Sequence, residues 1–160
     1  AVWMPYQWMF FKSALDAGLA DFAYRIADTA LTLWQNECAE SYCCFEHFMI
    51  ESRRGAGWHQ FSGLSSPIVQ WFSAYYRPGT LTTGFDAFVR HTDWAPDNSA
   101  LNATLDFTAA GRSTVLAVLQ PGSKVVTASV PCTVTTRHDG LLELTFALDA
   151  PCTVTISIHP

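Results

Sequence analysis

The sequence has few charged residues, and lysine is the scarcest of them. Asp, Glu, Lys and Arg make up 14% of the 160 residues, whereas about 25% is usual for a globular domain. Lysine occurs only at positions 12 and 124, and the net charge is −5. Because a nucleic-acid interface needs a basic face to meet the phosphates, the composition argues against nucleic acid as a partner.

The sequence also lacks a long hydrophobic run, although 49% of its residues are hydrophobic. No stretch of about 18 apolar residues occurs, so no membrane span is predicted. The first residues show no basic region ahead of an apolar stretch, so we expect either that a leader was removed or that the chain starts within a longer protein. The compartment stays open, with a lean toward the secretory pathway, where the triplet Asn102-Ala103-Thr104 would be a glycosylation acceptor.

Five cysteines give neither a metal-binding nor a disulfide pattern. Cys38, Cys43 and Cys44 are close in the sequence, but they lack the spacing and the neighbouring histidines of a zinc site. Cys132 and Cys152 each precede a Thr-Val-Thr run. A disulfide between these two is the alternative to the free thiols that we expect. We predict no metal and no other cofactor.

The aromatic residues divide the chain into two parts. All Trp, all Tyr and nine of the eleven Phe precede residue 95, and Thr, Val, Leu and Ser dominate the rest. Pro96 and Asn98 supply loop-forming residues near this change. We therefore predict one domain over residues 1–92 and a second, a β-sandwich, over residues 93–160.

The first part has the periodicity of helices. We predict helices over residues 6–18, 22–34 and 66–76, with Asp21 as the N-cap of the second helix. Gly18 and Pro78-Gly79 supply stop signals. The second helix is expected to bury one apolar stripe: Phe22, Ile26, Ala30 and Leu33. The long segment 38–64 has weak periodicity, and long irregular connections in compact domains are often functional.

The second part alternates between apolar and polar residues, as β-strands do. Residues 101–107, 140–148 and 152–158 each place their apolar side chains on one face. Asp139-Gly140 and Gln120-Pro121-Gly122 are turn signals. Five or six short strands predict a small antiparallel sandwich, and nothing in it suggests a catalytic role.

A lone carboxylate, Glu46, stands among apolar residues in "CCFEHFMIESRRGAGWHQF". Aromatic neighbours would partly desolvate it, which favours a role as a proton acceptor. Gly55 and Gly57 would allow a tight turn and a close approach of the backbone to a ligand. The alternative is that Glu46 serves as a cap or pairs with one of the neighbouring arginines: Arg53 or Arg54. Two other carboxylates compete for the catalytic role: Glu40 and Glu51.

Three segments resemble the (α/α)6-barrel glycoside hydrolases, which include glycoside hydrolase family 63 and the trehalases. They are "VWMPYQWMFFKSALDAGLADFAYRIADTAL", "FEHF…GAGWHQFSGLSSPIV" and "AYYRPGTLTTGFDAF". The resemblance covers roughly residues 1–92. It implies an α + β protein in which the C-terminal helices of an (α/α)6 toroid are followed by a small antiparallel β-sandwich.

The same resemblance implies an inverting glycoside hydrolase with Glu46 as its catalytic base. The sequence departs from the family at His47 and Phe48, where Asn or Lys and then Tyr are usual. The substrate-binding residues that it implies are Trp3, Gln7, Trp58, His59 and Phe61. A core or capping role is the alternative for Trp3 and Gln7, and a loop histidine without a ligand is the alternative for His59. In the family an aspartate serves as the general acid, and it belongs to a region before the one that this chain resembles. The chain is therefore expected to be the C-terminal part of a larger enzyme and to be inactive alone.

We expect two kinds of partner. One is a carbohydrate substrate, which would be an oligosaccharide or a glycoside. The other is a polypeptide, which would be the N-terminal remainder of the same protein or a complementary chain. Two other functions stay open. One is a noncatalytic carbohydrate-binding or structural subunit built on a decayed hydrolase scaffold. The other is an assembly module that joins a partner through its apolar helix faces.

Overall fold

Helices dominate the first half of the chain, and strands dominate the second half. A computed structural model describes residues 1–61 and 63–160 in full and residue 62 by its backbone alone. The helices of this described part are α1 (Met4–Asp16), α2 (Ala20–Ser41) and α3 (Ser62–Tyr76). The strands are β1 (Phe45–Phe48), β2 (Gly55–His59), β3 (Thr80–Thr82), β4 (Ala87–Trp94), β5 (Leu101–Phe107), β6 (Gly111–Val118), β7 (Val125–Ala128), β8 (Cys132–His138), β9 (Leu141–Leu148) and β10 (Cys152–His159).

The predicted (α/α)6 toroid is wrong. The described residues form three helices, and their strands form three antiparallel sheets. The toroid was implied by the resemblance of three segments, and the apolar helix faces within them show only that a helix is covered, not by how many other helices. The chain divides into one unit of residues 1–11 and 21–72 and another of residues 12–20 and 73–160. The predicted boundary at residues 92–93 falls within β4.

In the first unit, α1 packs against α3 through aromatic side chains. The ring of Trp8 lies 5.0 Å from that of Phe11 and 5.8 Å from that of Trp71. Phe11 and Trp71 are fully buried. The aromatic residues that mark the first half of the sequence therefore build the contact between its helices.

The predicted end of α1 is confirmed, whereas α2 is longer than predicted. Gly18 adopts a left-handed φ of 68°, and the N–H of Leu19 donates to the carbonyl of Ala14 over 2.8 Å, which is a Schellman cap. The second helix continues to Ser41, where Tyr42 with φ 55° closes it.

The buried stripe of α2 differs from the predicted one. Its buried residues are Ala23, Ala27, Ala30 and Glu37. Phe22 is 45% exposed, so the large apolar side chains are not the ones that the helix buries. The predicted stripe instead lines an open cleft, which Phe22, Ile26, Ala30 and Leu33 all border.

Segment 38–64 is more regular than predicted. It contains the end of α2, the hairpin of β1 and β2, and the start of α3. The two strands are antiparallel, with Phe48 opposite Gly55 and Phe45 opposite His59. Neither FEHF nor GAGWH alternates between apolar and polar residues, which is why the sequence did not reveal this hairpin.

The second unit has two antiparallel sheets, which fit the predicted sandwich only loosely, since their first strand already begins at Thr80. One sheet has the order β4-β5-β10-β7 and the other β3-β6-β9-β8. Their inner faces share a single apolar core, which includes Leu105, Phe107, Leu144, Phe146 and Val154. The turn at Asp139-Gly140 joins β8 to β9 as predicted, with φ 89° at Gly140.

All five cysteines are free thiols. The alternative disulfide between Cys132 and Cys152 is therefore wrong, and the two residues lie on β8 and β10, which belong to different sheets. Among the described helices, none combines the length and the apolar character needed to cross a membrane.

Asp16, at the end of α1, holds the loop between β3 and β4. Its carboxylate accepts hydrogen bonds from the backbone N–H groups of Phe85, over 2.7 Å, and Asp86, over 3.1 Å. Gly84 lies so close to this carboxylate that any side chain there would collide with it. Asp16 therefore has a structural role in the second unit.

Asp16→Ala should destabilise the fold by about 1–2 kcal/mol, because two backbone donors lose a charged acceptor. Urea denaturation would measure the loss. Asp28→Ala is the matched control, because Asp28 is an exposed helical aspartate and should change stability by less than about 0.5 kcal/mol. Equal losses in the two variants would contradict this role of Asp16.

Candidate functional site

The β1–β2 hairpin gathers most of the predicted site residues. Four of them lie in it or just after it: Glu46, Trp58, His59 and Phe61. The pairing of Phe45 with His59 and of His47 with Ala56 leaves Glu46 opposite two residues, where a regular ladder would have one. This is a β-bulge, a feature that redirects side chains and is frequent beside functional sites.

The bulge fixes the carboxylate of Glu46 against β2. Its Oε2 accepts a hydrogen bond from the backbone N–H of Trp58 over 3.3 Å, and the residue is half-buried. Gly57 has a φ of 82°, and a Cβ at that position would collide with this oxygen. We predicted that the glycines bring the backbone close to a ligand, but the group that Gly57 approaches is Glu46 itself.

An exposed aromatic surface lies beside this carboxylate. Trp58 is 71% exposed, and its ring contacts the edge of Phe61 with 5.8 Å between centroids. The backbone N–H of Trp58 holds Glu46, so the carboxylate lies against the main chain of the residue that carries this exposed ring. A flat apolar ring next to a proton acceptor suits a ligand with both an apolar face and hydroxyl groups.

The N-terminal segment brings Trp3 to the same hairpin. Val2 and Phe48 exchange backbone hydrogen bonds of 2.7 and 3.0 Å. The ring of Trp3 then stacks on that of His47, with centroids 5.0 Å apart and planes 26° apart. The sequence marked His47 only as a departure from the family pattern, and its stacking partner was not predicted.

His59 and Gln7 have other surroundings. The exposed His59 meets the ring of Phe45 edge-on at 5.0 Å. Gln7 lines a cleft of about 430 Å³ between α1 and α2, together with Met4 and Arg25. None of the other five predicted site residues borders this cleft in the described part of the chain.

A buried carboxylate that the sequence analysis did not consider, Glu37 of α2, anchors the hairpin. It is 3% exposed and accepts hydrogen bonds from Arg54, over 2.8 and 3.1 Å, and from the N–H of Gly55, over 2.7 Å. The hydrogen bond from Arg54 lowers the pKa of Glu37 to about 2, against the opposing effect of burial. The signal in the sequence was an acidic pair, Glu37 and Glu40, with Arg53-Arg54 further along.

The ion pairs of Arg54 are with Glu37 and Glu40 and not with Glu46. Its second ion pair is with Glu40, over 2.7 Å, so the alternative in which Arg54 neutralises Glu46 is wrong. Glu40, one of the two other candidates for the catalytic base, is thus ion-paired with Arg54. Glu51, the other rival, is exposed in the turn between the two strands.

The cysteines near the hairpin do not form a metal site. The thiol of Cys38 donates to the carbonyl of Cys43 over 3.1 Å. Burial, with smaller effects from the neighbouring Cys44 and Glu37, raises the pKa of Cys38, so its thiol stays protonated. Among the described residues, no cluster of three or more His, Cys, Asp or Glu side chains has a metal-binding arrangement.

The surroundings of the three carboxylates therefore differ: a backbone N–H holds Glu46, an arginine holds Glu37, and Glu51 is exposed in the turn. Glu46 has no ion pair in the described part of the chain, and Glu37 cannot donate a proton near neutral pH because its pKa is about 2. No family model and no curated protein matches the chain. Its resemblance to glycoside hydrolases therefore stays a prediction.

Glu37→Gln should destabilise the protein by about 2 kcal/mol at neutral pH, because the backbone N–H of Gly55 and the guanidinium of Arg54 lose a buried, charged acceptor. Glu40→Gln is the matched control and should cost less than about 0.5 kcal/mol, as is usual for an exposed ion pair. Chemical denaturation of both variants would measure the difference. A stability of Glu37→Gln equal to that of Glu40→Gln would contradict the anchoring role.

The contribution of Glu37 to stability should disappear in acid. Its pKa in the folded protein, about 2, is below its ordinary value of 4.5, so the contribution is complete above the ordinary value and declines as the pH falls toward 2. Denaturation curves of the wild type and Glu37→Gln should therefore converge across this interval. Curves that stay parallel would contradict the pKa assigned to Glu37.

Proposed function

We propose that the chain supplies the general base of an inverting glycoside hydrolase, and that this base is Glu46. The observation that carries the proposal is a half-buried carboxylate, held by a β-bulge beside a tryptophan that is 71% exposed. The substrate class is an oligosaccharide or a glycoside. Trp58 and Phe61 would stack on a sugar ring, and Trp3 would keep His47 in place at the border of the site.

In this reaction Glu46 accepts a proton from water while the water oxygen attacks the anomeric carbon. A carboxylic acid about 6.5–9.5 Å away gives its proton to the departing glycosidic oxygen. The bond from the anomeric carbon to the leaving oxygen breaks as the new bond to water forms. The N–H of Trp58 would fix the direction from which Glu46 receives the proton.

We place the general acid outside residues 1–160. Glu37 is unsuited to the role because it is held ionised, and Glu40 is bound to Arg54. Asp16 is occupied by the loop that it caps. The chain would thus act as the C-terminal portion of a larger enzyme and would be inactive alone.

The apolar surface of the helices supports a polypeptide partner. On α1, Tyr6, Met9 and Phe10 are 61%, 55% and 59% exposed, and on α3, Val69 and Phe72 are 65% and 54% exposed. Isolated monomers rarely expose contiguous apolar patches above roughly a few hundred Å². We propose that the N-terminal remainder of the same protein, or a complementary chain, covers these side chains.

The alternative is a noncatalytic carbohydrate-binding subunit. The observation in its favour is that the hairpin carries an exposed aromatic pair, Trp58 and Phe61, while no second carboxylic acid is held opposite Glu46 in the described part of the chain. A carbohydrate-binding site needs an aromatic surface, but it does not need a second carboxylic acid. The two functions differ in one respect, which is whether the complete protein hydrolyses its ligand.

Glu46→Gln in the complete protein should lower the turnover number by about 10²-fold or more, because a positioned proton acceptor is lost. The amide keeps the size of the side chain and can still accept the N–H of Trp58, so circular dichroism should be unchanged. Initial rates on a panel of glycosides and oligosaccharides would measure the loss.

Glu40→Gln is the control for this experiment and should keep near-normal turnover. If Glu40→Gln abolished activity while Glu46→Gln preserved it, the wrong carboxylate would have been chosen. Retained sugar binding without hydrolysis by the wild type would favour the binding subunit.

Residues 1–160 expressed alone should aggregate or bind the missing polypeptide, since the apolar side chains of α1 and α3 would face water. Light scattering would report the size, and near-ultraviolet circular dichroism would report the packing of the aromatic side chains. A soluble monomer with a cooperative melting transition would contradict the proposed partner and favour an independent binding module.

A further inference from the structure

The outer face of the sheet β4-β5-β10-β7 carries an ordered array of hydroxyl and amide groups. Alternation directs Leu101, Ala103, Val154 and Ile156 into the core, so the residues between them point outward. The pairing of the strands sets the outward side chains in two rows. One row is Asn102, Ser157 and Thr127, and the other is Thr104, Thr155 and Ser129.

These six residues border a groove of about 370 Å³. None of the residues that line it in the described part of the chain is Asp, Glu, Lys or Arg, and His91 of β4 is its single titratable residue. A neutral groove gives no advantage to a phosphate, an acidic peptide or a polyamine, each of which needs a charged counterpart. Its composition suits a neutral ligand rich in hydroxyl groups.

Much of the hydrogen-bonding capacity of the groove is unused within the described part of the chain. The hydroxyl groups of Thr104, Thr127 and Thr155 have no side-chain partner there. Asn102 accepts a hydrogen bond from Ser157 through its Oδ1 over 2.6 Å, which leaves the amide N–H groups free to donate. Donors and acceptors are therefore both available to a ligand.

The array is also held in place before any ligand arrives. Thr155 is tied to the neighbouring strand, because its N–H donates to the hydroxyl of Ser129 over 3.0 Å. Ser157 is hydrogen-bonded to Asn102 and also to His159, over 2.6 Å. Because β5 and β10 bury their other faces in the core, little conformational freedom would be lost on binding.

We propose that this groove is a second, noncatalytic binding site for a neutral oligosaccharide. It lies in the second unit, whereas Glu46 and Trp58 belong to the first. The inference therefore does not depend on the proposed hydrolase function. The groove lacks an aromatic platform among its lining residues, so recognition would come from hydrogen bonds and affinity would be weak.

The test is calorimetric titration of the complete protein with maltose, cellobiose and trehalose. It is done in the Glu46→Gln background so that no probe is hydrolysed. At least one probe should bind. Thr155→Val and, on the edge strand, Thr127→Val should each lower the affinity by about tenfold, which corresponds to about one lost hydrogen bond. Thr133→Val is the matched control, because Thr133 is an exposed strand threonine outside the groove, and it should have no effect.

Trp58→Ala separates the two sites. If it removed all binding while the groove variants kept it, the sugar would bind at the hairpin, and the groove proposal would be overturned with the hydrolase proposal intact. Absence of binding to all three disaccharides would also overturn the groove proposal. Intact mass would detect a glycan attached at the acceptor triplet of Asn102 and Thr104, and a glycan there would replace the free ligand and overturn it too.

Discussion

The hydrogen bonds that Glu37 accepts decide where the β1–β2 hairpin lies. Gly55 lies opposite Phe48 of β1, and its backbone N–H donates to the carboxylate of Glu37 over 2.7 Å. Arg54 supplies the compensating charge, so the buried carboxylate remains ionised at little cost. The other edge of the hairpin pairs with Val2. A side chain on one edge and a backbone on the other thus hold two short strands that would be marginal alone.

The functional geometry follows from this anchoring. Once β2 is held, the bulge at Gly57 and Trp58 determines where Glu46 points, and the N–H of Trp58 secures its carboxylate. Most of the positioning is done by backbone groups, which have fewer alternative conformations than long side chains. Backbone groups also position the side chains of the second unit, where the pairing of β5 with β10 places the hydroxyl groups in rows.

The sequence predicted local structure well and tertiary surroundings poorly. The alternation of Val154 with its neighbours identified β10, because a strand in a sandwich buries one face. The toroid was wrong because it rested on the resemblance of three segments to a family, whereas the described residues form three helices and three antiparallel sheets. Glu37 was missed because its partner is 17 residues away and a helical glutamate is ordinarily solvated. Glu46, by contrast, was singled out by its apolar neighbours, and the structure places Trp58 and Gly57 against it.

The strand order of the sandwich has a consequence for how the protein is made. The last strand of the described residues, β10, lies inside its sheet between β5 and β7. During synthesis, β5 and β7 therefore emerge from the ribosome before the strand that pairs with both of them. Their apolar faces stay partly uncovered until β10 has been made. Folding of this unit is expected to be late and dependent on contacts between distant residues, which slows it. Until β10 arrives, the nascent chain is at its most vulnerable to aggregation.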